Sequence, residues 1–252
     1  LTNYYVIFKN SYATGPYTQA SFQGILASEY YLEYGKEKKL NKDKTLISEP
    51  LKRAGIYTAA FHSNAYLSYY FGYRKGWDTF YDSMSDDVTD IYPFIRGSDI
   101  NSKVSAFLSS FSFIKPLFLW VHYMDVHEPY IAEEEYLSSI DPSIKLSKDE
   151  MFELFKNIIL KRDISDKGKV DTLRKLYMAK VAETDDYLKQ LFSIFNSHNL
   201  LDNSTIIITS DHGDEFSEHK GLSHDGKMYS ELINVPLFVY DKSYSSTIID
   251  KP

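Results

Sequence analysis

The stretch Thr205-Ile206-Ile207-Ile208-Thr209-Ser210-Asp211-His212-Gly213-Asp214-Glu215 constrains this chain more than any other. A short, apolar, β-branched run of this kind reads as a buried strand of a parallel sheet. Asp211 and His212 then stand at its end, and in open α/β sheets ligands bind beyond the carboxyl ends of the strands. An adjacent carboxylate and imidazole, followed by a glycine that lets the backbone turn, make a pair of ligands for a divalent metal ion. The bland alternative is a strand with a polar turn after it. The pair therefore gains meaning only if other parts of the chain bring chemistry to the same place.

Three other stretches do so. Pro116-Leu117-Phe118-Leu119-Trp120-Val121 is a second continuous apolar strand, and it runs into His122-Tyr123-Met124-Asp125-Val126-His127. Parallel strands put their ends on one rim, so two polar strand ends are much less likely by chance than one. His219-Lys220-Gly221-Leu222-Ser223-His224 is a glycine-containing loop just beyond the first cluster. Thr18 lies at the start of a helix expected over residues 21–27, where it serves as N-cap or aims its hydroxyl into the same cleft. Taken singly, His122 reads as a core histidine, His127 as a surface one and Thr18 as a cap. The set carries the functional reading. His62 and His198 have no such company and are expected to be structural, and Lys227 is expected to be solvated rather than an anion clamp.

The remaining pattern alternates helix and strand, as βαβ units do. Residues 4–8 and 236–240 are short strands, and Ile56-Tyr57-Thr58-Ala59-Ala60-Phe61 is another. Residues 45–54 form an amphipathic helix ended by Gly55, with Pro50 as an obstacle. A helix over 98–111 takes Ser98 as its cap. A long amphipathic helix runs from Val170 to His198, with Leu173, Leu176, Val181, Leu188, Leu191 and Ile194 near a 3.6 period. Residues 64–97 look irregular, 131–165 look like a charged excursion from the core, and Lys36 to Lys44 like a solvated loop. The fold class is α/β, with a mostly parallel central sheet flanked by helices.

Composition removes several classes. The 252 residues contain no cysteine, which excludes disulfides, thiolate metal sites and a cysteine nucleophile. A net charge of −7 argues against a general nucleic-acid binder. No apolar run of about 18 residues is present to span a membrane, and residues 1–10 do not read as a signal peptide. Membrane contact, oligomeric state and compartment stay open at this level.

The segment Ser210-Asp211-His212-Gly213-Asp214-Glu215-Phe216, followed by Glu218-His219, His224 and Val235-Pro236-Leu237, resembles the sulfatase family of the alkaline phosphatase superfamily. His122-Tyr123-Met124-Asp125-Val126-His127-Glu128-Pro129-Tyr130 resembles that family's central segment. Residues 10–35, Ala54 to Phe61, Gly76-Trp77-Asp78 and Ala182-Glu183-Thr184-Asp185 also match segments typical of the family. The resemblance implies an alkaline-phosphatase-like three-layer sandwich, with residues 1–252 as a single catalytic domain lacking its first strand and its C-terminal part.

Carried over by position, the resemblance implies that Asp211 and His212 ligate one divalent metal ion (Mn, Zn, Ca or Mg). Thr18 falls at the nucleophile position and would be a third ligand. His122 or His127, together with His224, falls where the family contacts the substrate's anionic group or leaving oxygen. The departures are as telling. Sulfatases proper oxidise a cysteine or serine to an aldehyde, and threonine cannot become that aldehyde. Ala20 and Phe22 replace the Pro and Arg downstream. Threonine resembles the phosphoryl-transferring relatives, namely phosphodiesterases and the phosphotransferases of cell envelopes. The family's acidic ligand at the end of its first strand lies upstream of Leu1. The expected function is a metal-dependent hydrolase or transferase of phosphate or sulfate esters, acting on a small-molecule or envelope-component ester. The alternatives are a catalytically inactive sulfatase-like binding module and a true sulfuric ester hydrolase.

Overall fold

The apolar runs and the loops between them build two sheet fragments around one core. β2 (Tyr57–His62) lies between β3 (Thr79–Asp82) and β4 (Leu117–His122), parallel to both. The second sheet has the order β5-β8-β1-β9, built from β1 (Tyr5–Phe8), β5 (Ile206–Thr209), β8 (Leu237–Tyr240) and β9 (Thr247–Ile249). This computed structural model describes residues 4–30, 39–82, 93–224 and 226–251.

β5 differs from its reading as a buried parallel strand. It pairs antiparallel with β8, which also runs antiparallel to β1, while β1 and β9 are parallel. The chain returns from β5 to β8 through the hairpin of β6 (Glu215–Phe216) and β7 (Leu222–Ser223) and the single turn α7 (Ser230–Ile233). It lacks the long helical crossover that a parallel partner needs. Burial along β5 alternates, with Ile207 63% exposed, and β4 is half-buried throughout. Among the described residues β4 is hydrogen-bonded only to β2, and β5 only to β8. Ile206 nevertheless packs in one cluster with Leu117, Leu119 and Val121, so both free edges belong to the same core.

The helices begin where backbone chemistry dictates. Tyr17 is the N-cap of α1 (Thr18–Ala27), so Thr18 is the first helical residue and not the expected cap. The loop before it is pressed onto the helix. A Cβ on Gly15 would lie 2.3 Å from the Ala20 Cβ, and Ser21 Oγ donates to the Gly15 carbonyl at 2.6 Å. Thr18 is thereby fixed and only 5% exposed. α2 (Ser48–Arg53) starts late enough to place Pro50 in its first turn, where a missing N–H has no intrahelical role. Gly55 follows with φ +83, the left-handed conformation that glycine permits.

Residues 131–165 are not an excursion. α4 (Glu134–Ile140) and α5 (Lys148–Phe155), with a π-turn over Lys156–Leu160, pack on α6 (Lys167–Ser197). Leu137, Met151, Ile158, Leu173 and Leu176 are each at most 2% exposed and form a core of their own. Residues 64–82 contain two short 3-10 turns and β3, while 83–92 of the stretch expected to be irregular lie outside the described residues. In the expected lysine-rich loop, residues 36–38 also lie outside them, and Lys44 pairs with Glu29. No helix among the described residues is long and apolar enough to cross a membrane.

α3 (Gly97–Ser110) is held by a buried charge network in place of the expected Ser98 cap. Asp125 accepts the Gly97 N–H at 2.9 Å, and burial pushes its carboxyl up to about 6, with Lys180 opposing that shift. Glu183, 1% exposed, accepts from Arg96 at 2.6 Å, from the Tyr187 hydroxyl at 2.6 Å and from the buried Lys180. Removing one partner of such a buried pair strands the other charge. Glu183→Ala is expected to cost about 3 kcal/mol, lowering Tm by roughly 6–12 °C in a chain of this size. Thermal unfolding followed by circular dichroism checks this; an unchanged Tm would contradict it.

Candidate active site

The segments after β2 and β4, the start of α1 and His224, which follows β7, meet at a cleft of about 550 Å³. Thr18, Asn64, Met124, His127 and His224 line it, with Tyr17, Tyr66 and Phe94 as aromatic walls. Thr18 and His127, 109 positions apart in sequence, are neighbours here because α1 starts beneath the rim on which β4 ends. The histidines are contiguous. The ring of His224 lies 5.1 Å from that of His127 and 4.5 Å from that of His212.

Backbone carbonyls fix two of these rings. His212 Nδ1 lies 2.9 Å from the Gly213 oxygen, and His127 Nδ1 lies 2.9 Å from the Glu128 oxygen. A carbonyl only accepts, so Nδ1 carries a proton in both rings, and Nε2 is the nitrogen that faces away from the backbone. Burial pushes His127 below the usual histidine value of 6.5, which keeps it neutral. His212 Nε2 faces Asp211 Oδ2 at 3.5 Å, with side chains 8% and 17% exposed. Two donors about 2.1 Å from one ion lie roughly 3.0–3.5 Å apart. The spacing, and the carbonyl that holds the far side of the His212 ring, therefore fit a shared divalent metal ion.

His224 is held differently. Its Nδ1 donates to Asp214 Oδ1 at 2.8 Å, and the Tyr130 hydroxyl donates to Asp214 Oδ2 at 2.7 Å. Burial opposes charging His224, but the hydrogen bond and charge of Asp214 outweigh it, and the histidine is raised above 6.5. Burial likewise opposes charging Asp214, yet the bonds from His224 and Tyr130 hold it below 3.8. Tyr130 is fully buried and stays protonated, its pKa pushed far up by burial and by Asp214. Donor atoms of His212, Asp214 and His224 lie within 4.8 Å of one another. Both Asp214 oxygens are already engaged, so Asp214 orients His224 and leaves Asp211 as the free carboxylate.

His122 does not line the cleft among the described residues. It sits beneath it, edge-on to Phe22 at 5.2 Å and beside Trp120 at 6.0 Å, and burial lowers it to about 4. His62, its register partner on β2, is fully buried between the rings of Phe80 and Trp120, and burial lowers it to about 4. His198 packs against Phe113. His219 stacks on Tyr229 at 3.7 Å and pairs with Glu231. Glu215, fully buried, accepts the His219 and Gly221 N–H groups at 2.6 and 2.7 Å and lies 3.6 Å from Lys227. That ring of bonds ties down the loop that presents His224, and Lys227 is part of it. Sequence reasoning missed the roles of Asp214, Tyr130 and Asn64. The first two stand inside the quoted motifs, whereas nothing in the sequence singles out Asn64.

Comparison with known proteins bears on the family and the fold. The multifunctional alkaline phosphatase superfamily protein PehA of Trinickia caryophylli is 24% identical over 149 residues, 50% of this chain and 29% of its own length. Arylsulfatase K of Gallus gallus is 37% identical over 73 residues, 29% of this chain and 14% of its own length. The phosphonate monoester hydrolase of Agrobacterium radiobacter superposes with a TM-score of 0.70 at 14% identity, covering 98% of this chain and 63% of that one. BT4656, solved with its substrate D-glucosamine-2-N,6-O-disulfate, gives a TM-score of 0.75 at 18% identity, covering 96% of this chain and 65% of that one. The chain thus spans less than two thirds of these relatives. The sulfatase family profile matches residues 1–251, and the chain belongs to the sulfatase family.

Proposed function

We propose that the protein carrying this chain is a metal-dependent hydrolase or transferase of phosphate esters, with Thr18 as its nucleophile. The observation that carries this reading is the convergence of Thr18, His127 and His224 on one cleft, with the facing Asp211 and His212 side chains beside them. Asp211, His212 and Thr18 would hold the ion. A fourth, acidic ligand would come from a strand paired between the free edges of β4 and β5. A divalent ion bound there would supply Lewis acidity, lowering the pKa of the threonine hydroxyl and polarising the ester oxygen.

Thr18 Oγ1 attacks phosphorus in line, forming one P–O bond as the bond to the leaving oxygen breaks. The Thr18 proton passes to bulk water. His224, kept protonated by Asp214, donates its Nε2 proton to the leaving oxygen. Water, or an acceptor alcohol in a transferase, then attacks phosphorus and gives its proton to His224 Nε2, while the P–O bond to Thr18 breaks and Thr18 Oγ1 regains a proton from solvent. His127, neutral and open at Nε2, accepts a hydrogen bond in the cleft and is favoured over His122 because it lines the cleft.

The cleft favours phosphate diesters. Among its described lining residues there is no lysine or arginine, which suits an ester group with a single negative charge. Sulfate monoesters meet that condition too, and relatives such as BT4656 act on them. Thr18 is what ranks sulfate second, because a threonine cannot form the aldehyde of true sulfatases.

Two outcomes are expected of the full-length protein. Thr18→Ala lowers turnover of bis(p-nitrophenyl) phosphate on the order of 10⁴-fold, and a chelator abolishes the wild-type rate until Mn²⁺ or Zn²⁺ is restored. Full activity in both arms would contradict the reading. The pH profile follows from His224. It is protonated below its raised pKa, so kcat/KM declines as pH rises through a value above 6.5. Asp214→Asn removes what raises it and should move that alkaline limb to lower pH. An unmoved limb would mean that His224 is not the acid.

A further inference from the structure

Asn64 has no role in the reading above, yet its side-chain amide is in contact with the proposed nucleophile. It stands two residues after β2, is 3% exposed and lines the cleft beside Thr18. Its two ends are treated very differently. Oδ1 accepts the Tyr66 N–H at 2.9 Å, capping the short turn Ala65–Leu67. That bond settles the amide orientation, because a backbone N–H can only face the oxygen. The Nδ2 group must then point into the cleft. There, among the described residues, it finds two poor acceptors, the Thr18 Oγ1 at 3.4 Å and the Met124 thioether at 3.3 Å. Sulfur is a weak acceptor, and a bond of 3.4 Å is at the long end of the range.

We propose that the Asn64 amide is a catalytic donor, reserved for a nonbridging oxygen of the phosphoryl group as it transfers to Thr18. The proposal rests on the reading of Thr18 as nucleophile. The nonbridging oxygens of a phosphorus bonded to Thr18 Oγ1 lie about one tetrahedral edge, roughly 2.5 Å, from that oxygen. A donor 3.4 Å from Oγ1 is therefore within hydrogen-bond reach of one of them. The donor is underused in the resting enzyme and gains its full acceptor only when negative charge builds on that oxygen. An interaction that strengthens in this way lowers the barrier and does not merely tighten substrate binding. It is preorganised, because the Tyr66 cap holds the amide in a nearly water-free position. It is also neutral, so it adds no positive charge to the cleft and matches an ester with a single negative charge.

The competing role for Asn64 is purely structural, as the cap of the turn. Asp and Ser are as good as Asn at capping, but neither can place an N–H in the cleft. Asn64→Asp and Asn64→Ser, made in the full-length protein, separate the two roles. Both variants are expected to keep the wild-type Tm within a few degrees. Both should lose kcat on bis(p-nitrophenyl) phosphate by roughly 10²–10³-fold with KM little changed, the effect of removing one such donor. Orthovanadate, which mimics the five-coordinate phosphorus, should bind both variants at least about 10-fold more weakly by calorimetry. Wild-type kcat and vanadate affinity in either variant would overturn the proposal, as would a change confined to KM. Thr18→Ala in the same assay keeps the two claims apart. If it stays active, the nucleophile reading fails. If it is inactive while Asn64→Asp and Asn64→Ser turn over normally, only the role of Asn64 fails.

Discussion

Asp211 Oδ2 and His212 Nε2 face one another across 3.5 Å at the end of β5, with the other ring nitrogen of His212 committed to the Gly213 carbonyl. Both side chains are largely buried, so the effective dielectric between them is low. Either a cation between them or a proton on Nε2 satisfies the pair. Gly213 enforces it. A Cβ there would lie 2.2 Å from the Glu231 carbonyl, so only glycine lets the backbone pass so close to α7 and still return its own oxygen to His212 Nδ1.

The neighbouring histidines divide their work by environment. His127 is bonded to a neutral carbonyl and kept neutral by burial, whereas His224 is bonded to a carboxylate and kept charged. Two imidazoles 5.1 Å apart are thereby pushed in opposite directions from the usual histidine value. One ring is left to accept and the other to donate. The carboxylate that makes the difference, Asp214, is in turn held by Tyr130, which belongs to the segment after β4. The β4 and β5 ends are thus coupled by side chains where no backbone pairing joins them among the described residues. The Arg96–Glu183–Lys180 network does similar work one layer away. It anchors α3 to α6 and gives Asp125 a fixed place to hold the backbone that leads to Phe94 and His127.

Much of this was legible in the sequence because strand-end chemistry is written locally. Asp211, His212 and His127 each stand directly after, or within a few residues of, an apolar run, and His224 stands in a glycine-containing loop shortly beyond. The existence of β2 and β4 followed from their continuous apolar runs, and that of α6 from its 3.6 period. What failed were the features decided by partners distant in sequence. β5 reads as buried and parallel from its isoleucines, but its pairing is set by how the chain returns to β8. Thr18 reads as a cap, but the backbone bends one residue earlier, at Tyr17. The charge density of residues 131–165 hides an apolar face that shows only when α4, α5 and α6 are packed together. Asn64 carries no local signal, since its meaning lies in a contact spanning 46 positions with Thr18.

The most direct measurement is anomalous diffraction from crystals of the full-length protein grown with Mn²⁺ or Zn²⁺. The expected result is a single strong peak about 2.1 Å from both Asp211 Oδ2 and His212 Nε2, with Thr18 Oγ1 turned toward it. A peak at Glu215, His219 and Glu231 instead, or a protonated His212 bonded directly to Asp211 with no ion at either place, would contradict it.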